Sequence, residues 1–231
     1  FSSNNPNNAR SIHIWSETGG PNGQLRQVTD EQFNAQNPAW DPEGNFLYFL
    51  SDRQFAPQIS SFEFNYATNR TTGIFAMALR KDVKHPFPPE SDEVSVAKDE
   101  KPADAPAKPD ASPKPADAAA KPAAEKKAAD LVIDFDGLAQ RVARVPVEAD
   151  NYNGLAAKKG HLLYTNGSAF FYGRQGDRKT SLRLYSIKDR KETVLSDDIQ
   201  GYVLSSDGSK VLVRTGQTWN LHDATPAGAT A

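Results

Sequence analysis

The stretch Q-N-P-A-W-D-P-E-G-N-F-L-Y-F-L, residues 36–50, holds a short strand, a turn closed by Gly44 and then an unbroken apolar run. The run has the length of one strand. Apolar side chains on both faces are expected where a strand is covered from both sides. A glycine closing the turn fits a position that needs positive φ. The same order recurs at residues 153–164, N-G-L-A-A-K-K-G-H-L-L-Y, and at residues 201–214, G-Y-V-L-S-S-D-G-S-K-V-L-V-R. A repeated unit of this kind buries a continuous core only by stacking on its neighbours.

Outward from these units the chain reads as further short strands. Residues 11–16, S-I-H-I-W-S, alternate apolar and polar, and a Gly/Pro turn containing Asn22-Gly23 leads to residues 24–29, a hairpin signal. Strands are also expected over 74–79, 140–147, 154–157, 161–165, 168–172, 182–187, 192–195, 201–204, 210–214 and 218–222. No stretch carries a sustained helical stripe with caps. Four antiparallel strands per unit make the blade of a β-propeller. The expected fold is therefore all-β, a partial propeller of about three blades. The count gives the last two strands of one blade, two whole blades and three strands of another. A sandwich or closed barrel would not require the repeated apolar strand after each Gly turn.

Residues 98–129 interrupt this pattern with Ala, Lys, Pro and Asp, without one aromatic residue. Such a segment cannot offset an ordering cost of roughly 1–2 kcal/mol per residue. Residues 86–129 are expected to be a disordered loop. It splits one propeller domain into a first part, 1–85, and a second part, 130–231.

Composition excludes several functions. With a net charge of −2 the chain offers no broad basic surface for nucleic acid. The absence of cysteine removes disulfides, thiolate zinc sites and a Cys nucleophile. No apolar run approaches the length of a membrane span. The first residues lack a signal-peptide pattern, and a chain opening on Phe1 and closing on T-P-A-G-A-T-A reads as a piece of a longer one. The motifs G-x-S-x-G and H-E-x-x-H and a glycine-rich phosphate loop are all missing. The four histidines, His13, His85, His161 and His222, lie far apart. Ser95 and Lys98 match S-x-x-K by letter, but at the mouth of the insert, where no buried lysine could activate the serine. Asp134, Asp136 and Gly137 suggest a calcium loop, yet no further acid follows within reach, so a turn is expected. No catalytic, cofactor-binding or metal-binding residue is assigned, and no cofactor is expected.

Three further stretches resemble one family. They are F-E-F-N-Y-A at 62–67 followed by A-L-R-K-D at 78–82, V-I-D-F-D-G-L-A-Q-R-V-A-R-V-P-V at 132–147, and N-Y-N-G-L-A-A-K-K-G-H-L-L-Y at 151–164. With the N-P-A-W-D-P-E-G repeat they resemble the second, seven-bladed propeller of tricorn-type peptidases. The resemblance implies a large serine peptidase of the S41 class, in which a PDZ-like domain and a catalytic domain follow the propellers. It implies peptide or unfolded polypeptide substrates, a homo-oligomer, and a propeller that acts as scaffold and substrate gate. The Ala/Lys/Pro insert departs from the compact family pattern. Two other readings compete: a TolB-like binding propeller without peptidase activity, and the propeller of a prolyl-oligopeptidase-type enzyme.

On the propeller reading, residues lining a central channel come from the innermost strand of each blade: Asn37, Trp40, Asn153, Leu155 and Tyr202. Trp15, Trp40 and Trp219 are expected to fill the space between blades. The linker composition and lack of cysteine suit an exported bacterial protein, periplasmic or secreted, with the cytoplasm as the alternative.

Overall fold

The computed structural model describes residues 1–17, 23–54, 58–59, 66–67, 70–88, 131–168, 176 and 178–229. Chain contacts separate a unit made of Phe1–Pro88 with Leu131–Ala231 from the segment Pro89–Asp130. That segment lies outside the described residues, as do the 95–98 motif, most of the expected strand at 168–172 and nearly all of the insert.

The larger unit is all-β, a partial propeller of four antiparallel sheets. The first sheet holds β1 (Ser2–Asn4), β2 (Arg10–Ser16) and β3 (Gln24–Gln27) in that order. The second begins with β4 (Ala35–Trp40) and β5 (Phe46–Ser51). After a separate hairpin of β6 (Gln58–Ile59) and β7 (Tyr66–Ala67), it continues with β8 (Gly73–Ala78) and β9 (Val142–Arg144). The third holds β10 (Tyr152–Lys158), β11 (His161–Asn166), β12 (Ser181–Ser186) and β13 (Lys191–Ser196). The fourth holds β14 (Gly201–Leu204), β15 (Lys210–Thr215) and β16 (Thr218–Asp223).

The apolar runs explain the stacking. In F-L-Y-F-L, Leu47 and Phe49 turn toward Ile12, Ile14 and Val28 of the first sheet side. Tyr48 and Leu50 turn the other way, into a cluster with Leu162 and Tyr164 of the third sheet. Strand β11 repeats the division, because Leu163 joins Leu182, Val211 and Val213 between the third and fourth sheets. Each fully buried large side chain of this kind contributes about 1.5–3 kcal/mol relative to exposure. The layers end at the fourth sheet. Its outward row, Val203, Leu212 and Leu221, is exposed.

The turns between first and second strands use side-chain oxygens as backbone substitutes. Asp41 accepts from the amides of Glu43 at 3.2 Å and Asn45 at 3.1 Å, and Gly44 takes φ 70°. In the fourth sheet Asp207 accepts from the Ser209 amide at 3.0 Å, and Gly208 takes φ 69°.

The structure corrects the sequence reading in four places. The first sheet has three strands rather than two, because Ser2–Asn4 pairs with β2. The expected strand at 140–147 shrinks to Val142–Arg144, since Leu138–Gln140 forms a 3-10 turn. The strand expected at 154–157 extends over Tyr152–Lys158. None of the three tryptophans fills an inter-sheet core: Trp15, Trp40 and Trp219 are 56%, 44% and 53% exposed. Phe49, Phe75, Tyr48 and Tyr164 do that work. Trp15 instead lies over Gly23, so closely that a Cβ there would meet its ring at 2.5 Å.

Candidate functional site

The first strands of the second and third sheets, β4 and β10, lie side by side, and β14 of the fourth reaches β10 through Tyr202. Two of them carry the same irregularity. Pairing of β4 with β5 slips between Gln36 and Ala39, and pairing of β10 with β11 slips between Asn153 and Ala156. At each bulge one residue is left-handed, Asn37 with φ 51° and Gly154 with φ 57°. Asparagine tolerates that region better than other side-chain-bearing residues, and glycine enters it freely. Strand β14 has no bulge and pairs regularly from Gly201 to Leu204.

The bulges are where neighbouring sheets are tied. Asn37 Nδ2 donates to Asn153 Oδ1 at 2.7 Å. The Tyr202 hydroxyl donates to the Gly154 carbonyl, and lies 3.2 Å from the Leu163 carbonyl. Burial pushes the Tyr202 hydroxyl well above its ordinary pKa, so it stays a donor.

The five expected channel residues therefore divide. Asn153 and Trp40 are exposed, and Asn37 is half-buried with its amide in the inter-strand bond. Tyr202 is half-buried and spends its hydroxyl on the next strand. Leu155 is buried, packed in the cluster of Ala39, Tyr48 and Tyr164. The bulge at Gly154 breaks the alternation that would have set it on the same side as Asn153.

At one end of these strands a polar cleft of about 430 Å³ opens. Asn151, Asn153, Thr165, Gly167, Thr180, Gln200 and Gly201 line it, with Thr72 at its side. Beside it stands a charge cluster. Arg178 binds both carboxylate oxygens of Asp150 and donates to the Gly167 carbonyl at 2.9 Å. Asn166 Nδ2 donates to the same carboxylate at 3.0 Å. Burial works to raise the Asp150 pKa, but the bonds from Arg178, Asn166 and the Asn151 amide outweigh it, and the net shift is downward.

The sequence motifs that suggested chemistry resolve into scaffold. Asp134 accepts from the Lys81 amide at 2.9 Å and Asp136 pairs with the Lys81 ammonium at 2.7 Å. Arg141 donates to the carbonyls of Ala78 and Asp136 at 3.1 and 2.7 Å. D-F-D-G is thus a pinned turn, and Gly137 takes φ 67°. Among the described residues no cluster of His, Cys, Asp and Glu could hold a metal. Sequence reading missed one Ser–His contact, Ser3 Oγ to His13 Nδ1 at 3.3 Å, which only the pairing of β1 with β2 reveals. The same Nδ1 lies 3.2 Å from the Ser11 carbonyl. One ring nitrogen cannot serve both partners: with a proton it donates to the carbonyl, and without one it accepts from Ser3.

The family profile described as the tricorn protease second beta propeller domain matches residues 1–225. The chain belongs to that family. A tricorn protease homolog of Saccharolobus solfataricus is 22% identical over 203 residues, covering 87% of this chain and 16% of the relative. Tricorn protease homolog 1 of Streptomyces coelicolor is 26% identical over 198 residues, covering 83% of this chain and 17% of the relative. The chain thus spans about a sixth of the length of these tricorn relatives. The crystal structure of the tricorn protease superposes over 96% of this chain and 23% of its own, with TM-score 0.54 and 16% identity, a likeness of fold. Among the described residues no helix is long and apolar enough to cross a membrane.

Proposed function

We propose that this propeller is a non-catalytic part of a tricorn-like serine peptidase, serving as scaffold and as a gate on the route of peptide or unfolded polypeptide substrates. The downstream PDZ-like and catalytic domains of the same protein would supply the chemistry, within a homo-oligomer. The observation that carries this reading is the inner edge. Successive strands carry the uncharged side chains Asn37, Trp40 and Asn153, and Asn37 is tied to Asn153 rather than set beside a nucleophile. Such an edge binds any one sequence weakly and lets extended chains pass.

Two measurements test it. This chain expressed alone should hydrolyse no peptide, whereas the full-length gene product should; hydrolysis by the chain alone would overturn the reading. The chain has no cysteine, so Trp40→Cys introduces one thiol within it. Coupling a bulky polyethylene glycol maleimide there in the full-length protein should slow hydrolysis of long peptides more than that of short ones. An equal effect on both lengths, or none, would remove the gate.

A further inference from the structure

We propose that the cleft between the third and fourth sheets binds an uncharged, extended segment of peptide through hydrogen bonds to its backbone amides. This deepens the gating reading and rests on it. Two observations carry it. First, no charged side chain among the described residues lines the cleft. Beside it Asp150 pairs with Arg178, and Arg70 stands 3.9 Å from the same carboxylate. A charged ligand group entering the cleft would lose water without gaining a counter-charge.

Second, the lining offers amide and hydroxyl groups that the fold leaves uncommitted. The side chains of Gln200 and Thr180 make no hydrogen bond among the described residues. Asn153 uses its oxygen to accept from Asn37 and Gly154 and keeps its NH₂. An NH₂, a hydroxyl and a second amide are matched by the alternating donors and acceptors of an extended chain. Asn166, between the lining residues Thr165 and Gly167 in sequence, is 2% exposed and its Oδ1 is a buried acceptor without a partner.

The test uses the full-length protein and three blocked, dye-labelled hexapeptides, acetyl-GNSGNG-amide, acetyl-GDSGDG-amide and acetyl-GKSGKG-amide, in fluorescence anisotropy titrations. The neutral peptide should bind more tightly than either charged one. Gln200→Trp puts a bulky ring at a lining position and should weaken neutral-peptide binding about tenfold or more. A Gln200→Ala/Thr180→Ala double variant, which removes two partners, should weaken it about three- to tenfold. Equal binding of all three peptides, or unchanged affinity in both variants, would overturn the proposal. If Gln200→Trp lowers the Tm, the double variant decides alone. Trp40 lies outside this cleft, which separates the two ideas. Binding lost in Gln200→Trp with hydrolysis indifferent to the Trp40 block keeps the cleft and removes the gate. The reverse pattern keeps the gate and removes the cleft.

Discussion

The side-chain amide of Asn37 donates to that of Asn153 at 2.7 Å, across a separation of 116 residues, and so joins two sheets at the bulge of one inner strand and the edge of the next. The bond exists because Asn37 takes φ 51°, which swings its side chain out of the regular alternation of β4. Local backbone chemistry here produces a contact that the sequence-distant repeat alone does not encode.

Replacing Asn37 separates these two contributions. Asn37→Gly keeps the left-handed backbone and loses the amide, so it should cost about 0.5–1.5 kcal/mol. Asn37→Val loses the amide and also forces a β-branched residue into the left-handed region, adding about 1–2 kcal/mol. Urea unfolding midpoints at constant m-value would measure both, and equal effects would show that backbone strain plays no part.

The contrast between core and surface aromatics gives a second expectation. Phe49 is fully buried, with its ring 5.8 Å from that of Phe75, whereas Trp219 is half exposed. Phe49→Ala should destabilise by about 3–5 kcal/mol, while Trp219→Ala should stay within about 0.5 kcal/mol. Thermal unfolding of the two variants would show it.

How far the sequence revealed this molecule follows from the same residues. F-L-Y-F-L is legible because a two-sided apolar strand has few other homes, and W-D-P-E-G is legible because the turn needs a glycine. S-S-N at β1 was invisible: an edge strand needs only backbone pairing, and its side chains are polar. The tryptophans misled, since size argues for burial while Trp15 and Trp219 sit on the outer faces of the first and last sheets. The burial of Leu155 was not legible, because one left-handed residue at Gly154 interrupts the alternation of β10. The cleft draws on five separate segments, so no local pattern announced it.

Asp207 provides a titration test in an exposed turn. The Ser205 hydroxyl bonds its carboxylate at 2.6 Å, and the amide and hydroxyl of Ser209 add two more bonds, holding its pKa down at about 2. Ser205→Ala removes the largest of these influences and should move the Asp207 titration, followed by carboxyl carbon NMR, upward toward the ordinary value of about 3.9. An unmoved titration would mean that Ser209 alone sets it.

Asp150 should make stability depend on acid pH. Its folded pKa lies below the unfolded value, so in the window between them the unfolded chain binds more protons and stability rises with pH. The contribution is complete above about pH 4 and is lost as pH falls through the lower folded value. Asp150→Asn removes the carboxylate that Arg178 grips with two bonds and should cost about 1–3 kcal/mol near neutrality. The difference between the two proteins should narrow below about pH 4 in denaturant titrations run across pH. A difference that stays constant would assign the loss to packing.

The outward face of the fourth sheet sets the last expectation. Val203, Leu212 and Leu221 pair directly across three strands, and Trp219 lies opposite Arg214 on the same face. Val203, Leu221 and Trp219 are all more than half exposed. The opposite face of β15, with Val211 and Val213, is completely buried. In a propeller both faces of a sheet are covered by neighbours, so a row this apolar is built for contact and is costly in water. The chain purified alone should therefore bind anilinonaphthalene sulfonate and self-associate in sedimentation as its concentration rises. Leu212→Lys with Leu221→Lys should abolish both behaviours without lowering the Tm, because these side chains touch water rather than the core. Dye binding that survives the double variant would place the exposed apolar surface elsewhere, with the Phe1, Trp15 and Leu25 face of the first sheet as the next to substitute.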